Sequence, residues 1–425
     1  MPCASAQSAG SPASPAYVAP FDTLLDLETV VARALAVSPF VVAGEEQMRV
    51  ARSEKRVATG AYLPSLAATS SGLRSNVITP SGTLPVPNDA GAYSAGLASS
   101  LDLYTGGRRR ADRARAEADV TATTATAVSQ RYSVTLDASR AYYEALRGAD
   151  LVSVAQARVA RAERGLKYAQ DRVRAATATR SDELRARLEL TTGRQQLLAA
   201  RDTLQASAYA LGRLVGSNGP VGAAPPPSLE PRPLLLSDSA IVLAAARSSP
   251  AVQAAEAQSL AADAGVRSAR TQYVPTLRVT GGYNWAGQSP VLGAIRPGWI
   301  LALGTTYPLF NGFQREDAVV RADASAEIAA SSARDATRQA RAEAARLVGA
   351  LHIAEQNVVL AGDAVSAAQE DLRVQTERYR AGISTALDRQ TSELAVTQAE
   401  LGLVAARYNY QVTRVTLESL LGQKL

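Results

Sequence analysis

The chain has 425 residues, with Lys+Arg 45 against Asp+Glu 39 for a net charge of +6, and is 47% hydrophobic yet only 5% aromatic. Its one cysteine, Cys3, excludes an internal disulfide and a thiolate zinc site. Its one histidine, His352, excludes a histidine-cluster metal site and, set in an Ala/Glu-rich stretch, reads as an ordinary helix residue. A chain rich in alanine and arginine and poor in aromatics points to long, closely packed helices.

The basic balance does not point to nucleic acid. Acids are interspersed with the arginines, as in Arg161-Ala162-Glu163-Arg164 and Arg341-Ala342-Glu343, which read as solvated helix faces carrying i,i+3 and i,i+4 pairs. Only Arg108-Arg109-Arg110, with Arg113 and Arg115, forms a basic cluster. No run of about 18 apolar residues predicts a membrane helix. Residues 1–21 are Ser/Ala/Pro-rich and read as a disordered tail or residual signal region. Ala4-Ser5-Ala6-Gln7 resembles the end of a cleavage site without a preceding charged and apolar region, so the start reads as clipped. Met1-Pro2-Cys3 is a poor match to a lipid-attachment pattern.

Proline placement predicts the elements. Stretches 88–219 and 309–425 contain none, and proline costs about 3 kcal/mol inside a helix. In chain order the pattern predicts helices 26–37 and 39–60, strands 62–74 and 91–104, a long helix 107–175 and a return helix 182–215. These make a first repeat, 22–216. A Pro-rich linker, 217–237, contains Pro225-Pro226-Pro227. The second repeat, 238–425, gives helices 238–248 and 250–271, strands 273–285 and 297–310, a long helix 313–380 and a return helix 387–421. Serine as N-cap with proline at the first helical position, Ser38-Pro39 and Ser249-Pro250, predicts two of the helix starts. Each long helix would reach on the order of 100 Å at 1.5 Å per residue.

The halves are copies. Tyr62-Leu63-Pro64 recurs as Tyr273-Val274-Pro275 at an offset of 211 residues; Leu103-Tyr104-Thr105-Gly106 recurs as Leu309-Phe310-Asn311-Gly312 at an offset of 206. One change of offset, by five residues, predicts hairpins of unequal length. Heptad stripes Leu190, Leu197, Leu204, Leu211 and Val396, Leu403, Tyr410, Leu417, with a further stripe Leu387, Leu394, Leu401, Tyr408, Val415, predict supercoiled partner helices.

The strands alternate. Leu277, Val279, Gly281, Tyr283 and Trp285 oppose Thr276, Arg278, Thr280, Gly282 and Asn284; Trp299, Leu301, Leu303 and Thr305 continue the apolar set. This is the pattern of a transmembrane β-strand, with lipid on one side and lumen on the other, and equally of a half-exposed soluble hairpin. If the strands span a membrane, four of them cannot close a barrel, because open edges cannot face lipid; several chains must then share one.

The order and duplication of Leu103-Tyr104-Thr105-Gly106-Gly107-Arg108, Leu309-Phe310-Asn311-Gly312, Arg378-Tyr379-Arg380-Ala381-Gly382-Ile383-Ser384-Thr385-Ala386-Leu387-Asp388 and Leu420-Leu421-Gly422 resemble the outer-membrane efflux and secretion ducts of the TolC type. That resemblance implies a mainly α fold with a small β part. Long antiparallel coiled-coil helices would form a periplasmic α-barrel. Four strands per chain would join a shared, trimeric transmembrane β-barrel, and the linker would lie in an equatorial belt. It implies a passive, non-enzymatic homotrimer of the outer membrane, without cofactor, for efflux or type I secretion. The partners implied are a periplasmic adaptor, an inner-membrane pump or ABC exporter, and outer-membrane lipid. The rival reading is a non-enzymatic coiled-coil structural or adaptor protein of the periplasm.

The resemblance also carries site residues. The gate candidates are Asp388, its image Asp182, and Arg389. The adaptor-docking candidates are Arg380, Ala381, Gly382, Ile383 and Ser384 in the second tip, with Arg174, Ala176, Thr177 and Ser181 in the first. Thr391 stands where some members carry a second acid. Asp388 reads equally as an acid in a helix's first turn, favoured there by the helix dipole. The membrane-interface aromatics are Trp285, Trp299, Tyr93 and Tyr283.

Overall fold

The computed structural model describes residues 21, 23–81, 84–234, 236–288 and 296–425, with side chains for all of these except 75–91. Cys3 and all but one residue of the predicted tail lie outside them.

The element order is β1 (Leu24–Leu25), α1 (Leu27–Val37), α2 (Pro39–Gly60), β2 (Ser65–Ser81), β3 (Leu84–Tyr104), α3 (Arg108–Arg174), α4 (Arg180–Leu214), β4 (Gly222–Ala223), α5 (Asp238–Ser248), α6 (Pro250–Arg270), β5 (Thr276–Gln288), β6 (Arg296–Thr306), α7 (Gln314–Arg380) and α8 (Ala386–Leu421). Among the described residues no single helix is long and apolar enough to cross a membrane. The chain divides into two compact units. One holds Gly44–Ala127 and Ala251–Ala336; the other holds the remainder.

Several boundaries differ from the sequence reading. The first hairpin runs past 74 and begins before 91, to a Ser81↔Leu84 pair, although Pro80 and Pro85 face each other there. Proline is tolerated at the end of a hairpin, where a missing N–H leaves few ladder bonds broken. Strand β6 stops at Thr306 rather than 310, because Pro308 cannot donate to a ladder. The return helices start earlier than 182 and 387, because Thr179 and Thr385, not the acids, are the caps. The segment 217–237 is more than a linker: Leu24–Leu25 pairs in parallel with Gly222–Ala223. Ser249 closes α5 with its backbone N–H on Ala245 O at 3.3 Å, and its buried hydroxyl has no partner among the described residues.

In the unit formed by Gly44–Ala127 and Ala251–Ala336, β2-β3-β5-β6 form one antiparallel sheet. Its register sorts the side chains into two faces. Leu97 opposes Tyr283, which opposes Trp299; Leu101 opposes Val279, which opposes Leu303; Leu66, Leu277 and Leu301 share that face. The other face carries Ser65, Thr69, Ser71, Ser94, Ser100, Asp102, Arg278, Thr280 and Asn284. On it Ser65 and Ser71 bond Ser100 and Ser94 at 2.8 and 2.9 Å, and Arg278 Nε donates to Asp102 at 2.5 Å. Every residue of β6 is exposed.

Beside the sheet, α2, α3, α6 and α7 contribute to the same unit. Lys55 pairs with Glu117, Arg270 with Asp323, and Ala122 packs against Ala257 and Ala261. The methyl-sized contacts bring helix axes close.

The other unit owes its stability to two apolar clusters. One gathers Val30, Ala34, Tyr142, Leu146, Leu211 and Tyr408; the other gathers Ile241, Leu347, Leu351, Tyr410 and Leu417. Full burial of a leucine such as Leu211 or Leu417 contributes about 1.5–3 kcal/mol. Buried phenols tie the linker down: Tyr142 donates to Ala224 O at 2.5 Å and Tyr410 to Arg232 O at 3.0 Å. Of the heptad stripes, Leu190, Leu204, Leu211, Val396, Tyr408, Tyr410 and Leu417 are buried, whereas Leu387, Leu394 and Leu401 are exposed among the described residues.

Candidate conduit site: strand junctions and helical tips

Each strand-to-helix junction is held by an arginine. Arg109 donates to Leu103 O at 3.1 Å and Ala61 O at 3.4 Å, with its guanidinium 4.9 Å from the Tyr62 ring centre. Arg315, its image in the second repeat, donates to Pro308 O at 2.9 Å and Leu309 O at 3.4 Å and lies 4.9 Å from the Tyr273 ring. Carbonyls freed at a strand end receive charged donors, and a tyrosine face covers the cation. The sequence reading treated Arg109 as one member of a basic cluster and passed over Arg315. The repeat offset of 206, applied to Arg109, was the signal that would have found it.

The tips share three backbone bonds at equivalent positions. In the first, Ala175, Ala176 and Thr177 N–H groups donate to Asp171, Val173 and Arg172 carbonyls; in the second, Ala381, Gly382 and Ile383 donate to Glu377, Tyr379 and Arg378. Both turns require a left-handed residue: Gly382 at φ 77 and Ala176 at φ 57. An L-residue held there costs roughly 1–2 kcal/mol, so the first tip is strained where the second is not. Arg174, Thr177 and Ser181 in the first tip and Arg380, Ala381 and Ile383 in the second are exposed; Ser384 is half-buried.

The acids sit in matched capping boxes. Asp388 Oδ2 accepts from Thr385 N at 2.9 Å and from its hydroxyl at 2.8 Å, while Asp388 N donates back at 3.2 Å. Asp182 does the same with Thr179. Bonds from the Thr385 backbone and then its hydroxyl hold the Asp388 carboxyl below the ordinary range. Both acids therefore complete the caps from the first turn of their helices; Asp388 is exposed and Asp182 half-buried.

Arg389 is placed differently from its neighbour Asp388. It is 7% exposed and pairs with Glu393 at 2.5 Å. It lies 5.6 Å from the Tyr379 ring, whose other contact is Arg172 at 4.5 Å. Arg172 also donates to Tyr379 O at 2.9 Å, and Arg380 bonds the Tyr168 phenol at 2.5 Å. A side chain at Gly165 would meet Arg389 Nη2 at 2.5 Å, so α3 receives the guanidinium only because it carries glycine there. Burial pushes the Glu393 carboxyl up, against the pull of Arg389.

Farther along the helices, Arg158 bonds Glu189 at 2.7 Å and Arg161 bonds Glu400 at 2.8 Å, both nearly buried. Glu163 pairs with Arg194. In the Arg161–Arg164 stretch Glu163 and Arg164 are exposed, as a solvated face requires, whereas Arg161 and Glu163 pair across helices rather than along one; Glu343 makes the expected i,i+3 pair with Arg346. His352 lies on α7 and pairs with Asp238 at 3.1 Å. Among the described residues no group of His, Cys, Asp and Glu is arranged to hold a metal ion.

The register brings the predicted interface aromatics together. Tyr93, Trp285, Tyr283 and Trp299 share the apolar face toward the hairpin ends, with Tyr283 and Trp285 edge to face at 4.7 Å and Tyr93 lying against Gly287.

The profile of a family described as outer membrane efflux protein matches residues 30–217 and 241–423. No curated protein matches the chain. Among solved structures the chain is similar to CusC, with 18% identity over 93% of this chain and 92% of that one and a TM-score of 0.81. It is also similar to VceC of Vibrio cholerae (19% identity, 94% and 96% covered, TM-score 0.78) and to the MtrE outer membrane channel of Neisseria gonorrhoeae (22%, 93% and 89%, 0.78). At these identities the likeness establishes the fold.

Proposed function

The chain belongs to the outer membrane efflux protein family, and from that premise we propose that three copies form one passive conduit, served by a periplasmic adaptor and an inner-membrane pump or exporter. The protein resides in the outer membrane, with its helical part in the periplasm. The observation that carries the trimer is the four-stranded sheet, with one apolar and one polar face, neither covered by the chain, and open edges at β2 and β6. Unpaired edges in lipid cost several kcal/mol per group. Three such sheets give twelve strands, within the range of closed barrels, which starts at about eight. The apolar face meets lipid and the polar face lines the lumen. The exposed Leu387, Leu394 and Leu401 seam supplies an interface between copies.

In this reading the tips at 175–181 and 381–386 meet the adaptor, and three copies each of Asp388 and Asp182 surround the periplasmic opening. Efflux or type I secretion would use the same duct. The test has two arms. Mass measurement in mild detergent is expected to give about three chains of 44.4 kDa, and a stable monomer overturns the shared barrel. Planar-bilayer recording is expected to show an ion-conducting pore whose cation preference falls in Asp388→Ala; unchanged selectivity leaves Asp388 as a helix cap alone.

A further inference from the structure

We propose that Leu309, Phe310 and Phe313 form the periplasmic-side lipid anchor of the barrel, a wedge seated where acyl chains meet headgroups in the inner leaflet of the outer membrane. The proposal rests on the reading that the apolar face of the sheet meets lipid.

These side chains are 85%, 73% and 68% exposed, and Leu309 is the most exposed large apolar side chain among the described residues. Phe310 and Phe313 are edge to face at 5.4 Å, so they present one apolar body. Leu309 and Phe310 follow the end of β6 by three and four residues, at the same end of the sheet as Thr276 and Thr306.

Spacing fits a membrane. Trp299 and Thr306, the last residue of β6, are seven residues apart. At about 3.3 Å per residue and a tilt of about 40°, the strand between them gives a height of roughly 18 Å, and Leu309, Phe310 and Phe313 follow beyond it. The lipid-facing band of such barrels is about 25 Å tall, with aromatic girdles at both boundaries. Trp299, Trp285 and Tyr283 supply one girdle, and Phe310 and Phe313 fall where the other is required. The charges Arg315, Glu316 and Asp317 begin directly after Phe313, at the point where the chain must leave the apolar layer.

The backbone adds a separate argument. Phe313 sits at φ 64, where a bulky L-residue is disfavoured, and the equivalent residue of the first repeat is Gly107 at φ 85. Glycine would satisfy the turn. The phenylalanine is strained there, 68% exposed and edge to face with Phe310, which is the situation of a residue kept for something outside the chain. Arg315, bound to Pro308 O and Leu309 O, fixes the turn that presents it.

The experiment uses the full chain with Trp285→Phe, Trp299→Phe and Phe313→Trp, so that one indole reports. The trimer is reconstituted into phosphatidylcholine vesicles whose acyl chains are brominated near the headgroup or near the methyl end. The expected result is blue-shifted emission, with most of it lost in the first lipid and little in the second. Emission that neither lipid quenches places the residue against protein or in the lumen and overturns the proposal. A second variant, Phe313→Gly, relieves the backbone and so keeps the fold. It is expected to leave the detergent trimer intact while lowering retention in vesicles. Dissociation of that trimer in detergent would instead assign the patch to a neighbouring copy. Pore conductance is expected in both variants, so loss of the anchor and failure of the conduit reading give different results.

Discussion

Every residue of β6 is exposed, and its Trp299, Leu301 and Leu303 have no partner layer among the described residues, whereas Arg389 at the foot of α8 is almost wholly buried among α3, α7 and α8. The strand depends on surroundings that the chain does not supply. The tip is fastened by contacts that it does. Substitutions in the first region should therefore act through the membrane and assembly, and substitutions in the second should act in detergent as well.

The largest effect is expected from charge on the lipid face. Leu301→Arg or Leu303→Arg near the midplane should cost roughly 2–4 kcal/mol and reduce outer-membrane yield. Ala302→Arg, between them but on the opposite face by register, should be tolerated. Equal damage from all three, measured as protein in the outer-membrane fraction, would remove the distinction between faces.

Next comes the buried arginine. Gly165→Ala puts a methyl group where Arg389 Nη2 lies and should displace the guanidinium from Tyr379. Overpacking of this kind costs about 1–3 kcal/mol. The expected outcome is a lower melting temperature in detergent and a higher resting conductance, with normal outer-membrane yield. Normal conductance alongside lowered stability would make Arg389 a packing residue without influence on the opening.

The difference between these regions also explains what could be read in advance. Strand alternation and proline-free runs are local patterns, so the existence and order of the long elements were legible, and the duplication fixed their pairing. Capping was half legible: Asp388 is an acid of the first turn, as its alternative reading had it, but Thr179 and Thr385, which cap the two helices, did not stand out. Arg161–Glu400 and the Arg172–Tyr379–Arg389 stack join residues more than 200 apart or on different helices. No periodicity along one helix reports such pairs, so their arginines looked like solvent-facing charge. The β1–β4 pair involves two residues on each side, too few to leave a pattern.

The tips allow a reciprocal test. Gly382→Ala should destabilise the second turn and Ala176→Gly relax the first, each by about 1 kcal/mol. Hydrogen exchange of peptides spanning 171–181 and 377–387 reads both. If Ala176→Gly accelerates exchange, the greater backbone freedom of glycine in the unfolded turn outweighs relief of the left-handed alanine, and the two tips are not strained to different degrees.

The smallest effect concerns acid. Native Asp388 holds its charge to a lower pH than the unfolded chain would, because the Thr385 N–H and hydroxyl donate to the ionised carboxylate. The unfolded state therefore binds the proton first, and stability rises with pH through that interval. The contribution of the cap is complete above the ordinary aspartate value of about 3.9 and disappears as pH falls through the lowered native value. Exchange at residues 385–389 should accelerate in that acidic window and stay flat at neutral pH, while the buried Arg389 keeps the rest of α8 protected. Asp388→Asn should show the faster exchange at every pH and lose the acid dependence, since its amide accepts from Thr385 without carrying a charge. An acid step that persists in Asp388→Asn would assign the titration to a different carboxyl. The nearest one named here, Glu393, has the opposite sign: burial raises its value, so protonation relieves a desolvated charge and acid favours its native form.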